Sequence, residues 1–342
     1  MIKNFLVIAL NLLLMKDRIT IITGASGEIG ENLISYFLKN HKKKIIALDL
    51  NKSNRKNNVF KFIRGSILDE NILKGINEKY IVEEIFHLAA ILSTKAEKNK
   101  KLAEDVNING TNNLFNLALA QFEKNGIKTK FFFPSSIAVY NMKNKTDNFE
   151  IQINEIDYCN PNTIYGQQKL FCENLGTALD KYGNQQNLKI DFRCIRFPGI
   201  ISINSLPSGG TSDYAPEMIH SAMNKKQYSC FVNSKSCLPF IVMPDAINAI
   251  IQIMATPKSK LKNNVYNITS FSPTVSDLFK IIKDEFPEFE IQYNIDEMRQ
   301  AIVNEWPNKI NDSLAKNDWG WEPKYNFKNA FKNYIFKNME NE

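Results

Sequence analysis

From Arg18 onward the chain repeats one pattern: a short run of apolar or β-branched residues, a turn, then apolar positions spaced three and four apart. "RITIIT" places Ile19, Ile21 and Ile22 in a buried strand, and "EIGENLISYFLKN" carries Ile29, Leu33, Ile34 and Phe37 at helical spacing. A second apolar run, "KKIIALDL", follows after one helix length. The pattern recurs in "VFKFIRGSILD", "VEEIFHLAA", "KTKFFFPSS" and "LKIDFRCIRFPG", separated by amphipathic stretches such as "GTNNLFNLALAQFEK". Repeated strand–helix units predict a parallel, doubly wound sheet that offers ligands the carboxyl ends of its strands. Ala89–Ala90, Ser135–Ser136 and Pro198–Gly199 fall at such ends and are expected to line one crevice.

Composition narrows the classes of function. A chain of 342 residues with 44% apolar and 23% charged residues buries a substantial core. The net charge of +7 comes from lysines scattered through helical stretches, which reads as solvated surface and not as a nucleic-acid footprint. Cys159, Cys172, Cys194, Cys230 and Cys237 form no CxxC pair, so a reducing compartment fits better than a disulfide framework. His41, His87 and His220 are too far apart in sequence to suggest a metal site, and no metal is expected. Phe5 to Leu14 is an apolar run well short of the ~20 residues a membrane span needs. An upstream start before Met15 and a targeting segment both account for it, and the first is the preferred reading. The expected location is cytoplasmic, or mitochondrial where residues 1–15 are a targeting segment.

Gly24, Gly27 and Gly30 punctuate the passage from the first strand into the first helix. Glycines there let backbone N–H groups approach a pyrophosphate at a helix N-terminus. The second strand ends in Asp49, nineteen residues beyond Gly30, where a carboxylate reaches the adenosine ribose hydroxyls. A carboxylate also repels a 2′-phosphate, which favours NAD over NADP, although Lys52 and Arg55 stand nearby.

Tyr165 and Lys169 lie four apart, hence on one face of a helix. A tyrosine with its ordinary pKa of ~10 is only ~0.1% phenolate at neutral pH. A lysine ammonium and a nicotinamide cation both favour the phenolate. Tyr165 can then take the proton of a substrate hydroxyl while hydride leaves the same carbon, with a serine hydroxyl holding the oxygen.

With these residues assembled, the chain resembles the extended short-chain dehydrogenase/reductase family from about Ile19 to Pro323. The markers are "TGASGEIG", "HLAA", "VNINGTNNL", "PSSIAVY", "YGQQK" and "RFPG". The resemblance implies an α/β fold: a doubly wound parallel-sheet Rossmann domain over residues 16–196, which binds NAD. A smaller C-terminal α/β substrate lobe covers 197–342, with some segments returning to the first domain. It implies Tyr165, Lys169 and Ser136 as catalytic residues. It also implies a cofactor set of Gly24, Ser26, Gly27, Glu28, Ile29, Gly30, Asp49, Ser66, Ile67, Leu88, Ala89, Ala90, Asn107, Tyr165, Lys169, Pro198 and Ile200. Ser66 departs from the pattern, since many members carry Asp there.

Within the family, "HLAAILS", "PSSIAVY", "RFPGIIS", "GGTSDYA", "YNITSFSPT" and "EWPNKINDSLAKNDWGWEPKY" resemble the short-chain type of L-threonine 3-dehydrogenase. That branch implies NAD-dependent oxidation of the threonine side-chain hydroxyl to L-2-amino-3-oxobutyrate, with Tyr165 as general base, in a homodimer. An amino acid needs acceptors for its ammonium and donors for its carboxylate. Ser93, Ser136, Tyr165, Thr211, Asp213 and Trp306 form the expected substrate set. Asp213 reads equally as the N-cap of "YAPEMIHSAM", and Trp306 as a packing residue. The alternatives are a nucleotide-sugar epimerase or dehydratase, another hydroxy-acid dehydrogenase of the family, and a redox-sensing NAD-binding protein. "SGGTSDYA" has no arginine for a diphosphate, and a sensor commonly lacks the tyrosine or lysine kept here.

Overall fold

The computed structural model describes residues 16–40, 43–52, 58–143, 151–183, 189–203 and 209–339. The apolar leader, residues 1–15, and Arg55 lie outside the described residues. Seven strands form the main sheet: β1 (Arg18–Thr23), β2 (Ile45–Asp49), β3 (Lys61–Arg64), β4 (Ile81–His87), β5 (Lys130–Ser136), β6 (Asp191–Phe197) and β7 (Val265–Asn267). Their order in the sheet is β7-β6-β5-β4-β1-β2-β3. The pairings of β1 with β2 and β4, β2 with β3, β4 with β5 and β6 with β7 are parallel. The order reverses between β1 and β4, so their carboxyl ends diverge into the crevice where such sheets bind ligands.

Local chemistry explains the crossover helices. Helix α1 (Glu28–Asn40) opens with Glu28 and Glu31 and has Lys39 in its last turn, complementing its dipole. Its buried Leu33, Ile34 and Phe37 are three of the four residues expected on its apolar face. Helix α2 (Glu70–Lys79) is N-capped by Asp69, whose carboxylate accepts from the Asn71 and Ile72 amides. Helix α3 (Gly110–Asn125) ends at Gly126, which has a left-handed φ of 67°. Helix α4 (Ile164–Tyr182) carries the Tyr–Lys pair.

Two compact units interleave along the chain. One comprises Met1–Ala90, Lys101–Phe133 and Phe171–Arg193; the other comprises Ile91–Lys100, Pro134–Leu170 and Cys194–Glu342. In the first unit Ile21, Ile22, Phe86, Phe131 and Phe132 are fully buried, and the Phe115 and Phe131 rings lie 4.6 Å apart. The second unit packs a continuous apolar core from Ile137–Tyr140, Ile153, Tyr214, Phe231, Phe240, Leu278, Trp306 and Phe331. Its smaller elements include strand pairs Gly199–Ile201 with Phe240–Val242 and Tyr228–Cys230 with Ile291–Tyr293. Its helices include α5 (Tyr214–Met223), α6 (Met243–Ala255), α7 (Val275–Glu285) and α8 (Glu297–Glu305).

Candidate active site

The glycine turn at the end of β1 is fixed by backbone packing. Gly24 has φ +63°, and a methyl there would stand 2.6 Å from the Ala89 nitrogen and 2.7 Å from the Leu88 carbonyl carbon. A methyl at Gly30 would stand 2.8 Å from the Ala25 oxygen, so only glycine lets α1 begin this close to β1. Gly27 donates to the Gly24 carbonyl (3.0 Å) and is exposed, with Ser26, Glu28 and Ile29 half-buried around it. Asp49 reaches into this turn: its carboxylate accepts from the Ser26 amide and the Asn51 amide, each at 3.0 Å. The donor geometry and the exclusion of side chains at Gly24 and Gly30 fit a dinucleotide lying against bare backbone. Leu88 donates to the Thr23 carbonyl (3.1 Å), and Leu88, Ala89 and Ala90 lead away from β4 half-exposed. The Ser66 hydroxyl accepts from the Leu68 amide, and the Ile67 carbonyl accepts from Asn113, so both belong to the turn into α2.

Beneath this turn runs a hydrogen-bond chain centred on His87. Thr111 Oγ1 donates to the Asn107 carbonyl at 2.6 Å, which commits its one proton. His87 Nε2 lies 2.8 Å from the same oxygen and must therefore be the donor. His87 Nδ1 lies 2.9 Å from Thr23 Oγ1, and that oxygen receives the Ala89 amide at 3.3 Å. Asn107 itself is buried in a π-helical turn, Asp105–Asn109, that leads into α3. The chain thus links the backbone of Ala89 to that of Asn107 through the His87 ring.

The residues expected to be catalytic, Ser136, Tyr165 and Lys169, fall in the second unit. The first turn of α4 is seated by Gly166, where a methyl would meet the Ala138 carbonyl and lie 2.8 Å from Pro161 Cβ. Glu97 Oε1, from the short helix Ser93–Lys98, accepts the Ile164 amide at 2.6 Å and so caps α4 from another segment. Lys169 is 4% exposed; its Nζ donates to the Pro134 carbonyl (2.7 Å) and stands 5.5 Å from the centre of the Tyr165 ring. Pro134 precedes Ser136 by two residues, and the Ser136 hydroxyl accepts the Ala138 amide at 3.2 Å. Tyr165, Lys169 and the Ser136 segment therefore meet around the start of α4. Burial pushes the Tyr165 phenol well above its ordinary value, because the charged form loses its water. Among the described residues, the buried Ser135 hydroxyl meets no hydrogen-bond partner.

Two of the expected substrate residues also meet: Ser93 Oγ and Thr211 Oγ1 are buried and 3.5 Å apart, although 118 residues separate them. Asp213 occupies the N-cap position of α5, but its side chain makes no capping bond. Its carboxylate folds back instead and accepts from the amides of Gly209 (2.8 Å) and Gly210 (2.6 Å), which corrects the capping reading. Trp306 follows α8 and is 5% exposed within the apolar core of its unit, the packing role. Pro198 is buried and Ile200 half-buried, either side of Gly199, where a methyl would meet the Phe240 ring at 2.6 Å. Sequence reasoning missed His87, Thr111 and Glu97. His87 carried a signal, as a polar residue directly after the apolar pair Ile85–Phe86 at the end of its strand; Glu97 carried none.

A family model described as "NAD dependent epimerase/dehydratase family" matches residues 20–269. The chain is similar to "L-threonine 3-dehydrogenase, mitochondrial" of Sus scrofa, 35% identical over 310 residues, covering 88% of this chain and 78% of that protein. Among solved structures, it is similar to a "Monomeric L-threonine 3-dehydrogenase from metagenome database (apo form)". That match has a TM-score of 0.81 and 37% identity, covering 94% of this chain and 99% of the other. An L-threonine dehydrogenase from Phytophthora infestans superposes with a TM-score of 0.83 at 31% identity, covering 95% of this chain and 100% of the other.

Proposed function

This chain belongs to the NAD dependent epimerase/dehydratase family, and on that premise we propose that it oxidises the side-chain hydroxyl of L-threonine with NAD, yielding L-2-amino-3-oxobutyrate. The observation that carries the proposal is the meeting of Tyr165, Lys169 and the Ser136 segment at the start of α4, with Lys169 Nζ held by the Pro134 carbonyl. When bound, the nicotinamide supplies the hydride acceptor. Tyr165 removes the proton from the threonine hydroxyl as the bond to oxygen becomes a carbonyl. Burial alone opposes the phenolate, and the Lys169 ammonium counters it, because a positive charge near the ring lowers the cost of ionising Tyr165. Ser136 donates to the substrate oxygen and fixes it within reach of Tyr165.

Gly24, Ser26, Gly27, Glu28, Ile29, Gly30, Asp49, Ser66, Ile67, Leu88, Ala89, Ala90, Asn107, Pro198 and Ile200 are proposed to hold NAD. Asp49 takes the ribose hydroxyls with the lone pairs its two amide contacts leave open. Ser93, Thr211 and Asp213 receive the amino-acid end of the substrate. A homodimer is proposed through α4, which leaves Phe171 47% exposed; sedimentation of the purified chain tests this. Among the described residues no helix is long and apolar enough to cross a membrane.

The second reading, a nucleotide-sugar epimerase or dehydratase, draws on the breadth of the family model. Purified protein is mixed with NAD and a panel of hydroxy amino acids while NADH absorbance is followed. Threonine-dependent NADH formation is expected. No turnover with threonine, together with tight binding of a nucleoside-diphosphate sugar, would overturn the proposal.

A further inference from the structure

We propose that Arg299 is a positioning residue for the substrate pocket: it fastens the Gly210 peptide, holds Thr211 against Ser93, and thereby sets the affinity for the amino-acid substrate. The inference rests on the threonine reading above and adds a residue that no motif marks.

Arg299 lies in the first turn of α8, whose N-terminus is capped by the Asp296 carboxylate. Its Nη2 donates to the Gly210 carbonyl at 2.5 Å, across 89 residues of sequence. Its guanidinium lies 3.2 Å from the centre of the Phe231 ring, which fixes the plane of the fork. Gly210 is therefore held at both polar groups, its N–H by the Asp213 carboxylate and its C=O by Arg299. Both bonds are charge-assisted, the stronger kind. The next residue, Thr211, is 2% exposed, and its hydroxyl lies beside Ser93. Little freedom remains in that loop once the Gly210 peptide is fixed.

The surrounding charges fit this role. Glu217 on α5 accepts from the Tyr228 hydroxyl at 2.9 Å and is close enough to Arg299 for the guanidinium to favour its carboxylate against the effect of burial. Without Arg299, Asp213 and Glu217 would be left as like charges within electrostatic reach of each other. The far end of α8 ties into the catalytic segment: the Glu305 carbonyl accepts the Met142 amide at 2.7 Å, and the Glu305 carboxylate accepts from Asn162, three residues before Tyr165. One helix thus spans from the substrate loop to the approach to the catalytic tyrosine. The same geometry bears on the sugar-nucleotide alternative. The loop sequence has no cation of its own, and Arg299, which the fold brings to Gly210, is already bonded there and stacked on Phe231.

The test uses the full chain with Arg299→Gln and Arg299→Lys. Initial rates are measured against threonine at saturating NAD and against NAD at saturating threonine. Amide hydrogen exchange is followed over residues 209–213. For Arg299→Gln, KM for threonine is expected to rise about tenfold or more, the loss of one hydrogen bond to a charged group. KM for NAD and kcat at saturating threonine should stay within about twofold, and exchange at Gly210 and Thr211 should quicken. Arg299→Lys, which keeps the charge but not the planar fork, should recover part of the threonine KM. An unchanged KM for threonine, or a parallel loss in both KM values with lowered melting temperature, would overturn the role. If the wild-type chain does not oxidise threonine, the functional reading fails. Unchanged exchange in Arg299→Gln would then separately overturn the clamp, and faster exchange would leave the clamp standing without its substrate.

Discussion

At Gly24 and Gly30 an added methyl would run into backbone, the Ala89 nitrogen in one case and the Ala25 oxygen in the other. At Gly209 an added methyl would meet nothing within 4 Å, and at Gly210 it would meet the Asp213 carboxylate, 2.7 Å away. The first turn is shaped by main chain packed on main chain, and its glycines are needed because no side chain fits. The second is shaped by side-chain charge: Gly209, with φ +94°, supplies the bend, and Asp213 and Arg299 hold it. A cofactor shared across a large family suits the first kind of turn. The second turn depends on side chains distant in sequence, so exchanging Arg299 or Asp213 would change its shape.

The largest effect that would sharpen this contrast comes from Tyr165→Phe, which alters neither turn. Turnover should fall by about 10²–10⁴-fold, the usual contribution of a positioned general base, while NAD affinity by calorimetry stays within about twofold. Because the base acts deprotonated and burial raises its pKa, wild-type kcat/KM should climb as pH rises from neutral into the alkaline range. A flat profile would remove Tyr165 from the base role. Next is Gly24→Ala, expected to cost ~1–3 kcal/mol in denaturant unfolding from overpacking, with about 1 kcal/mol more from the positive φ. NAD affinity should drop with it; wild-type stability and affinity would break the claim that backbone packing fixes this turn. Asp213→Asn keeps an acceptor but removes the charge, so KM for threonine should rise about fivefold, or ~1 kcal/mol, with KM for NAD unchanged. The smallest effect is spectroscopic. Nitrogen-15 NMR of the His87 ring should show a protonated Nε2, and an unprotonated Nε2 would break the chain from Ala89 to Asn107.

What the sequence made legible divides along the same line. The β1–α1 passage, Asp49 and the Tyr165–Lys169 pair were readable because their geometry is local: strand, turn and helix periodicity place them within one or two elements. Asp213 was readable as a carboxylate at the start of a helix, but the direction of its side chain was not, since the preference for N-caps argued for the opposite turn. Arg299 and Glu97 were invisible because their partners lie 89 and 67 residues away. The small strands of the second unit, such as Tyr228–Cys230, are too short to show a period.

The interleaving of the two units sets an order of events during synthesis. Ile137–Tyr140 and Ile153, the apolar residues that flank Ser136, belong to a core completed by Tyr214, Leu278 and Phe331. The ribosome makes the Ser136 segment first and the residues that complete the core around it last. Some 200 residues separate the two, about 10–40 s of translation at ~5–20 residues per second. Through that interval Ile137–Tyr140 and Ile153 lack the later partners that complete their core in the folded chain. The residues proposed to perform the chemistry are therefore among the last to reach their final surroundings.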